Sequence, residues 1–395
     1  MKNTSIFFIL CLIINIGCGG GKQADTQSDG VTIVDVTATY PKKNLTLQDF
    51  MDVEYIVLET NDEFVNQGVV LAVGNEHIVV MNSIITNGDI FIYDRSGKAL
   101  RKINRRGQGP NEYLYILGFV LDEDNNEFFI FDASRKILVY DLYGNFKRSL
   151  VYDRGVNYEN IFNYDKDNLI CDNQLSMLEG ERNAESFFII SKQDGSVVKE
   201  IKIPFIQEKT PKLMHKIDGD MSVMYTFRYL LNSIIPHSGD FIITPLSSDT
   251  IYRYLPDHKM EPFIVRTPSI QSMNPEVFLL PNLLTDRYYF MESVKKEYNP
   301  DARNGFWDRP LVYDRQEKAI YEYTINNDDY IGRTENFSTK IINDKIAFRY
   351  KIEAFELIEA NKQGKLKGKL KEIAEGLDED ANPVIMLVKY KYQRG

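Results

Sequence analysis

Residues 91–103 read FIYDRSGKALRKI: an apolar strand, a turn containing Asp94 and Gly97, and a second strand. This arrangement is typical of a β-hairpin, because turn residues separate two runs of apolar or alternating character. The pattern recurs closely at residues 139–150 (VYDLYGNFKRSL) and, with one more turn residue, at residues 188–201 (FIISKQDGSVVKEI). Two degenerate copies follow, at residues 251–258 and 311–318. A repeated β-hairpin therefore organises this chain.

The spacing of the copies indicates what the repeat builds. The step from Asp94 to Asp141 falls within the roughly 40–50 residues of a four-stranded propeller blade. Residues 118–122 and 127–132 supply two further strands between the first two copies, which gives four strands per repeat. Shared among six blades, the chain after Gly30 provides about 61 residues for each, enough for a blade with insertions.

Five hairpins are visible, so we expect the sixth blade to be shared between the two ends of the domain. Residues 53–58 and 383–390 are the apolar strands available for it. Closing the ring in this way would pair strand edges that otherwise promote aggregation. The predicted fold is all-β: a single six-bladed β-propeller over residues 31–395.

One segment departs from the β pattern. Residues 351–375 carry apolar side chains at helical spacing, with Gly364 and Gly368 weakening the middle. We interpret the segment as a short C-terminal helical insertion, a solvated helix packed on the ring. Its lysines leave a binding patch as the alternative.

The N-terminus predicts export. Residues 6–14 are continuously apolar, too few for the roughly 20 that span a bilayer but typical of a signal-peptide core. Gly17 and Cys18 follow, and they resemble a bacterial lipobox, which implies a signal peptide over residues 1–17 and a lipidated Cys18. An ordinary signal peptide with an incidental cysteine is the alternative. Residues 18–30 are polar and glycine-rich, as in a flexible tether.

Composition narrows the function classes. The formal net charge is −10, so bulk electrostatics disfavours nucleic acid as a partner. Once Cys11 leaves with the signal peptide and Cys18 is lipidated, only Cys171 remains; no internal disulfide can form, and we expect a buried thiol there. The four histidines lack zinc-site spacing and no G-x-S-x-G motif occurs, so we expect no metal and no other cofactor.

The most distinctive string is RRGQGPNEY at residues 105–113. It follows the strand that ends at Ile103, so it is expected to join the outer strand of one blade to the inner strand of the next. We interpret it as a structural turn stiffened by Pro110. If it binds a ligand, the side chains with polar reach are Arg105, Arg106, Glu112 and Tyr113.

Two further sets of side chains were considered as sites. Tyr288 and Trp307 fall where the strand pattern is interrupted, and there they could stack on a flat ligand such as a sugar; packing between blades is the alternative. Four aspartates beside turns could hold calcium in the channel, although turn stabilisation is the simpler role. They are Asp94, Asp132, Asp141 and Asp314.

Three strings together resemble a known family: YDRSG at residues 93–97, GQGPNEY at residues 107–113 and NPVI at residues 382–385. They look like the six-bladed β-propeller lipoproteins of Gram-negative bacteria, relatives of NHL-repeat and TolB-like propellers. The resemblance covers residues 53–392. It implies export, a lipid anchor and a six-bladed ring, but no established reaction and no catalytic residues.

The function expected from these features is that of a non-catalytic binding or scaffold module. It would be anchored by lipid in the cell envelope, at the outer membrane facing the periplasm or the cell surface, and its partner would be a protein or a glycan. The alternative is a metal-dependent hydrolase or lyase with its site in the propeller channel.

Overall fold

The computed structural model describes residues 30–391, apart from residues 84–86, 135, 151–157, 159, 173–183, 219–220, 228–231, 303 and 338–340. The N-terminal part comprises β1 (Thr32–Asp35), β2 (Lys42–Thr46), the short helix α1 (Leu47–Phe50) and β3 (Met51–Val57). Within the described residues, no helix is long and apolar enough to cross a membrane. The expected signal peptide and tether, including Cys18, lie outside the described residues.

The described strands form seven β-sheets: six are the blades of a six-bladed β-propeller, and the seventh is a separate two-stranded hairpin. Blade 1 contains β4 (Val69–Val73), β5 (His77–Met81), β6 (Ile90–Asp94) and β7 (Ala99–Ile103). Blade 2 contains β8 (Ile116–Asp122), β9 (Glu127–Asp132), β10 (Lys136–Asp141) and β11 (Phe146–Leu150). Blade 3 contains β12 (Ile161–Asn163), β13 (Asn168–Asp172), β14 (Ala184–Ser191) and β15 (Val197–Pro204). The first strand of blade 2, β8, contacts the first strands of its neighbours, β4 and β12, around the centre of the ring.

The second half of the ring is more elaborate. A hairpin of β16 (Lys212–Asp218) and β17 (Met221–Thr226) precedes blade 4, which contains β18 (Ile234–His237), β19 (Asp240–Ile243), β20 (Thr250–Tyr254) and β21 (Met260–Thr267). Blade 5 contains β22 (Val277–Leu284), β23 (Tyr288–Tyr298), β24 (Phe306–Asp314) and β25 (Ala319–Asn326), with β26 (Thr334–Glu335) paired to β25. Blade 6 contains β27 (Ile346–Ile352) and β28 (Val384–Tyr390) together with β3.

The repeated hairpin recognised in the sequence is confirmed. Its five copies correspond to the third and fourth strands of blades 1 to 5. The recurring aspartate is explained by the turn: the Asp94 carboxylate accepts hydrogen bonds from the amides of Ser96 (2.8 Å) and Lys98 (3.0 Å). Asp141 does the same one blade later with Tyr143 and Asn145, both at 2.9 Å. Each aspartate thus satisfies backbone groups that the tight turn leaves unpaired.

Closure of the ring by the two ends of the domain is also confirmed. Strand β28 pairs antiparallel with β3, with Val388 opposite Val53 and Val384 opposite Val57. The preceding residues form a strap along the outside of the ring, since β1 pairs in parallel with β21 and β2 in parallel with β25. The strap covers the outer edges of blades 4 and 5 before the chain enters blade 6.

The helical insertion lies between β27 and β28. It consists of two helices, α2 (Ala354–Lys362) and α3 (Gly368–Glu375), so the expectation of one helix is wrong. The reason is Gly364, which takes a left-handed φ of +68° and ends the first helix. Leu357 and Leu370 are buried in the core shared by blades 5 and 6, which fastens the insertion to the ring.

Candidate functional site

The two sides of the ring differ in their connections. Short turns join first to second strands and third to fourth strands within the regular blades. The long connections join one blade to the next; they lie on the same side as the connections between second and third strands, and we call this the loop side. The RRGQGPNEY string, the β16–β17 hairpin and the two helices α2 and α3 all belong to the loop side.

Residues 105–113 join β7 of blade 1 to β8 of blade 2, as predicted. The loop is closed by its own backbone: the Gly107 amide donates to the Tyr113 carbonyl (3.1 Å) and the Tyr113 amide donates to the Arg105 carbonyl (3.2 Å). The Arg106 amide donates to the side chain of Asn104 at 2.9 Å. These bonds make the connection a rigid turn rather than a free loop.

Glu112 folds back inside this turn. Its carboxylate accepts a hydrogen bond from the Gly109 amide at 2.8 Å and lies directly over Gly107. A Cβ atom at residue 107 would collide with that carboxylate, which explains the glycine there. The Glu112 carboxylate therefore stabilises the turn, although its side chain remains exposed.

Tyr113 is buried at the base of the loop. Its hydroxyl accepts from the Arg105 amide (3.1 Å) and donates to the carbonyl of Gly88 (2.7 Å) in the neighbouring connection. Burial raises the pKa of the Tyr113 hydroxyl to about 12, so it stays neutral and serves as a structural donor. Arg105 reaches sideways instead, and its Nε donates to the Gly144 carbonyl of blade 2 at 2.9 Å.

A shallow groove, open to solvent, lies between this loop and the connection that precedes β6. Arg106 borders it, lying against Gly88, where a Cβ atom would meet the arginine side chain at 2.7 Å. The Arg106 guanidinium also lies 5.2 Å from the ring centre of Tyr115. The groove is lined by Met81, Asn82, Ser83, Gly88, Asp89, Tyr113, Leu114, Tyr115 and Ile116.

Asp89, an acidic residue that lines this groove, already has hydrogen-bond and ion-pair partners. Asp89 is buried and accepts from the side-chain amide of Asn104 at 2.8 Å, while Lys102 forms an ion pair with it at 3.0 Å. It therefore holds the walls of the groove together. The chemistry that the groove offers a partner comes from Arg106, Tyr115 and the exposed Leu114.

Sequence reasoning identified Arg105, Arg106, Glu112 and Tyr113 but missed Leu114, Tyr115 and Leu117, which are exposed beside them. Leu117 lies at a bulge in β8, where the register with β9 shifts between Ile116 and Gly118. The signal that could have identified it is the run of large apolar residues between the turn and the inner strand.

Tyr288 and Trp307 do not join this site. The expectation that they interrupt the strand pattern is wrong, because both lie on blade 5, Tyr288 at the start of β23 and Trp307 in β24. Tyr288 pairs with Asp314 and Trp307 with Lys295, so about seven strand residues, or about 23 Å, separate them. Tyr288 is buried between Lys43 and Arg287, whereas Trp307 is 52% exposed.

The aspartates considered as calcium ligands hold turns and charges in place. Asp132 accepts from the amides of Leu114 (2.7 Å) and Tyr115 (3.0 Å), which positions the entry to β8. Asp314 is buried beside Lys43 (2.8 Å) and Arg287 (3.1 Å). Although burial opposes ionisation, hydrogen bonds from these two cations lower the pKa of Asp314 below its ordinary value.

Histidines and the lone thiol are likewise dispersed. His77 contacts Glu123 at 2.9 Å, and His215 stacks on Tyr298 with 3.9 Å between ring centres. Cys171 is buried, as expected, and burial raises its pKa well above the ordinary value. In the part of the chain that the structure describes, no group of three or more His, Cys, Asp or Glu side chains could hold a metal ion.

The blade count, the strand order and the ring closed by both ends define a six-bladed β-propeller. Residues 22–348 match the model of the 6-bladed beta-propeller family DUF5128, and the chain belongs to this family. No curated protein matches the sequence at a significant level.

Several solved structures align with this chain, and the first of those below supports the fold. A Bacteroides fragilis protein described as exported aligns with a TM-score of 0.59 at 15% identity, over 91% of this chain and 100% of that one. U3-55K aligns with a TM-score of 0.37 at 9% identity, over 85% of this chain and 98% of that one. Virginiamycin B lyase from Staphylococcus aureus has a TM-score of 0.35 at 9% identity, over 70% of this chain and 94% of that one. At such identities the likeness concerns architecture alone.

Proposed function

We propose that this protein is an exported, lipid-anchored binding module that holds a protein partner on the loop side of its propeller. The observation that carries the proposal is the exposure of large apolar side chains in the long connections of that side. Exposed apolar groups mark an interaction surface where they form a contiguous patch, as Leu114, Tyr115 and Leu117 would beside the groove. Among the described residues, those in the long connections are Val65, Leu114, Tyr115, Ile206, Met214, Val223, Met224, Ile331 and Phe355.

The groove beside residues 105–113 is the best-defined part of this surface. Its walls are fixed by the bonds of Tyr113, Glu112 and Asp89, so a partner would meet a preformed shape and little ordering entropy would be lost on binding. Arginine and tyrosine, which Arg106 and Tyr115 supply at the rim, are enriched at the centres of protein interfaces.

A protein suits the groove better than a glycan. Leu114 and Leu117 present aliphatic surface next to Tyr115, and aliphatic side chains complement apolar side chains rather than sugar hydroxyls. The carboxylates that an enzyme would need are engaged in turns and ion pairs, as Asp89, Asp132 and Asp314 illustrate. The proposal is therefore for recognition without a reaction.

The envelope location in this proposal rests on the sequence. A short apolar core followed by Gly17 and Cys18 supports export and lipidation. A lipid anchor with more than one acyl chain would hold the module stably at a membrane. The expected location is the outer membrane, facing the periplasm or the cell surface.

Photo-crosslinking in cells tests the proposal. A photoreactive residue at Leu114 or Leu117 should yield a discrete protein adduct, and Arg106→Ala should weaken it. The control position is Val197, an exposed residue at the short turn before β15. Adducts that are equally strong from Val197, or that form at neither loop-side position, would contradict the proposal; an adduct with glycan alone would reassign the partner.

A further inference from the structure

The segment that leads into the groove is strongly basic. Residues 95–111 contain six Lys or Arg residues and no acidic residue, in a chain whose net charge is −10. Five of the six follow the turn, along β7 and the start of the loop. We call them the basic band: Lys98, Arg101, Lys102, Arg105 and Arg106.

The structure holds two of these cations in place without neutralising them. An Arg101 guanidinium nitrogen donates to the carbonyl of Leu142 at 2.8 Å, and Arg105 donates to the carbonyl of Gly144 at 2.9 Å. A carbonyl oxygen has no formal charge, so both guanidinium groups keep theirs. Arg101 also lies 4.3 Å from the ring centre of Tyr143, a contact that leaves its charge intact.

The basic band runs from Lys98, beside the short turn before β7, along this strand to Arg106 at the rim of the groove. Leu100 lies within β7, Tyr143 lies under Arg101, and Leu114 and Tyr115 follow beyond Arg106; all four are exposed. Arg101 faces blade 2 beside Tyr143, whereas Lys102 faces the other way, over the ring of Phe91 and paired with Asp89, so cations and apolar groups line both faces of β7. Strand β7 also forms the outer edge of the blade 1 sheet, in the order β4-β5-β6-β7.

From this charge pattern we infer that the partner of the loop side presents an acidic polypeptide segment, with carboxylates interspersed among apolar side chains, to the basic band. The inference rests on the proposed function and deepens it by naming the chemistry of the partner. Complementary charge would speed the encounter of the two proteins and align the acidic segment on the basic band, while burial of the apolar groups would stabilise the complex.

The test uses the full-length protein in physiological salt, about 0.15 M, where exposed charges are partly screened. The probe is a fluorescent peptide in which Asp and Glu alternate with Leu and Tyr. A matched peptide carries Lys in place of the acids. We expect the acidic peptide to bind and the basic one not to bind.

Two variants locate the binding. The triple variant K98Q/R101Q/R105Q should weaken binding of the acidic peptide about tenfold, which corresponds to about 1.4 kcal/mol shared among three charge pairs. Lys98→Glu alone should weaken it too, and its exposed side chain makes misfolding a minor concern. The control K365Q/K367Q/K369Q removes the same charge from exposed lysines around α3 and should leave binding unchanged.

Equal losses in the triple variant and its control would overturn the inference, because the attraction would then be general. Binding of phosphatidylglycerol vesicles or of an anionic polysaccharide in place of the peptide would also overturn it. The cellular adduct at Leu114 separates the two proposals: if it persists in the triple variant, the loop side binds a partner without the basic band. If no adduct forms in the wild type, the proposed function itself fails.

Discussion

At the scale of single residues, Glu292 is a carboxyl group whose surroundings oppose its charge. It lies in β23, is 4% exposed, and sits opposite Leu280 and Pro310 in the neighbouring strands. Burial, with a smaller contribution from Asp308, raises the pKa of its carboxyl to about 8. The folded protein therefore keeps Glu292 protonated at neutral pH, whereas an unfolded chain would ionise it.

This difference predicts a stability that depends on pH. The folded state holds a proton that the unfolded state releases, so the stabilisation is complete below about pH 4.5 and is lost as pH rises through about 8, at up to about 1.4 kcal/mol per pH unit. Glu292→Gln should remove this slope and raise the melting temperature at pH 8. Thermal denaturation from pH 5 to 9 measures it, with the exposed Glu261→Gln as control; an unchanged slope in the Glu292 variant would contradict the assignment.

Asn382 is the residue that joins the two ends of the domain most directly. Its side-chain amide donates to the carbonyls of Phe64 (2.6 Å) and Glu59 (3.0 Å), and its side-chain oxygen accepts from the Asn66 amide at 2.8 Å. Phe64, Glu59 and Asn66 all belong to the connection that enters blade 1. The NPVI string of the family resemblance thus contains Asn382, the residue that joins the two ends of the ring.

Replacing Asn382 with Ala should lower the free energy of unfolding by about 2–4 kcal/mol, because buried backbone groups lose their partners. Urea denaturation of the purified protein measures this. Asn111→Ala is the control, since that residue is exposed and contributes its backbone carbonyl to Tyr140. A loss no larger than in the control would mean that the contacts of Asn382 are replaced by water.

At the scale of elements, the hairpins and the strap follow different rules. Each hairpin is local, because its Asp turn and its two strands are neighbours in the chain. The strap is not: Thr32 lies opposite Ile264, and Lys42 opposite Glu322. Parallel pairing at such separation satisfies the open edges of blades 4 and 5, which would otherwise invite association.

Strand β28 is the element on which closure depends. It is central in blade 6, paired to β27 on one side and to β3 on the other. Truncation after Asn382 removes it and exposes both neighbours, so we expect aggregation or loss of cooperative unfolding. Truncation after Lys391 is the control. Calorimetry and light scattering provide the measurement, and a truncated protein that melts like the full-length one would refute the role of β28.

At the scale of the whole molecule, attachment to a membrane is the first property to establish. If Cys18 is the acylated N-terminus of the mature protein, Cys18→Ser should move the protein to the soluble fraction or stall its processing. Intact-mass analysis of the mature wild-type protein checks this. A mature chain that begins elsewhere, or that lacks acyl mass, would contradict the lipid anchor.

Metal dependence separates a binding module from the alternative enzyme. An ion bound only to the folded state would stabilise it by about 2.7 kcal/mol at a hundredfold excess over its Kd. We expect exhaustive chelation to leave the melting temperature unchanged, and elemental analysis to find less than one ion per chain. A drop of several degrees that one particular ion restores would favour a metal-dependent hydrolase or lyase in the channel.

The residues alone predicted the repeated hairpins, the six blades, closure by the two ends and the position of residues 105–113 between two blades. These features are legible because period-two patterning and Asp–Gly turns act over a few residues. Closure could also be inferred, because two apolar strands at opposite ends of the domain can pair with each other to complete the sixth blade. The sequence pattern indicated the helical insertion but not its division into two helices, because the break depends on the φ of Gly364.

The strap, the groove and the separation of Tyr288 from Trp307 depend on contacts between segments that are distant in the chain. The groove forms where Arg106 lies against Gly88 and Tyr113 donates to the carbonyl of that same glycine, contacts between two different connections of the chain. Strand patterning reports which side of a residue is buried, but not which distant segment buries it. That choice is made by the packing of the assembled ring, because the edge of blade 4 exists as a pairing partner for Thr32 only once its own strands have come together.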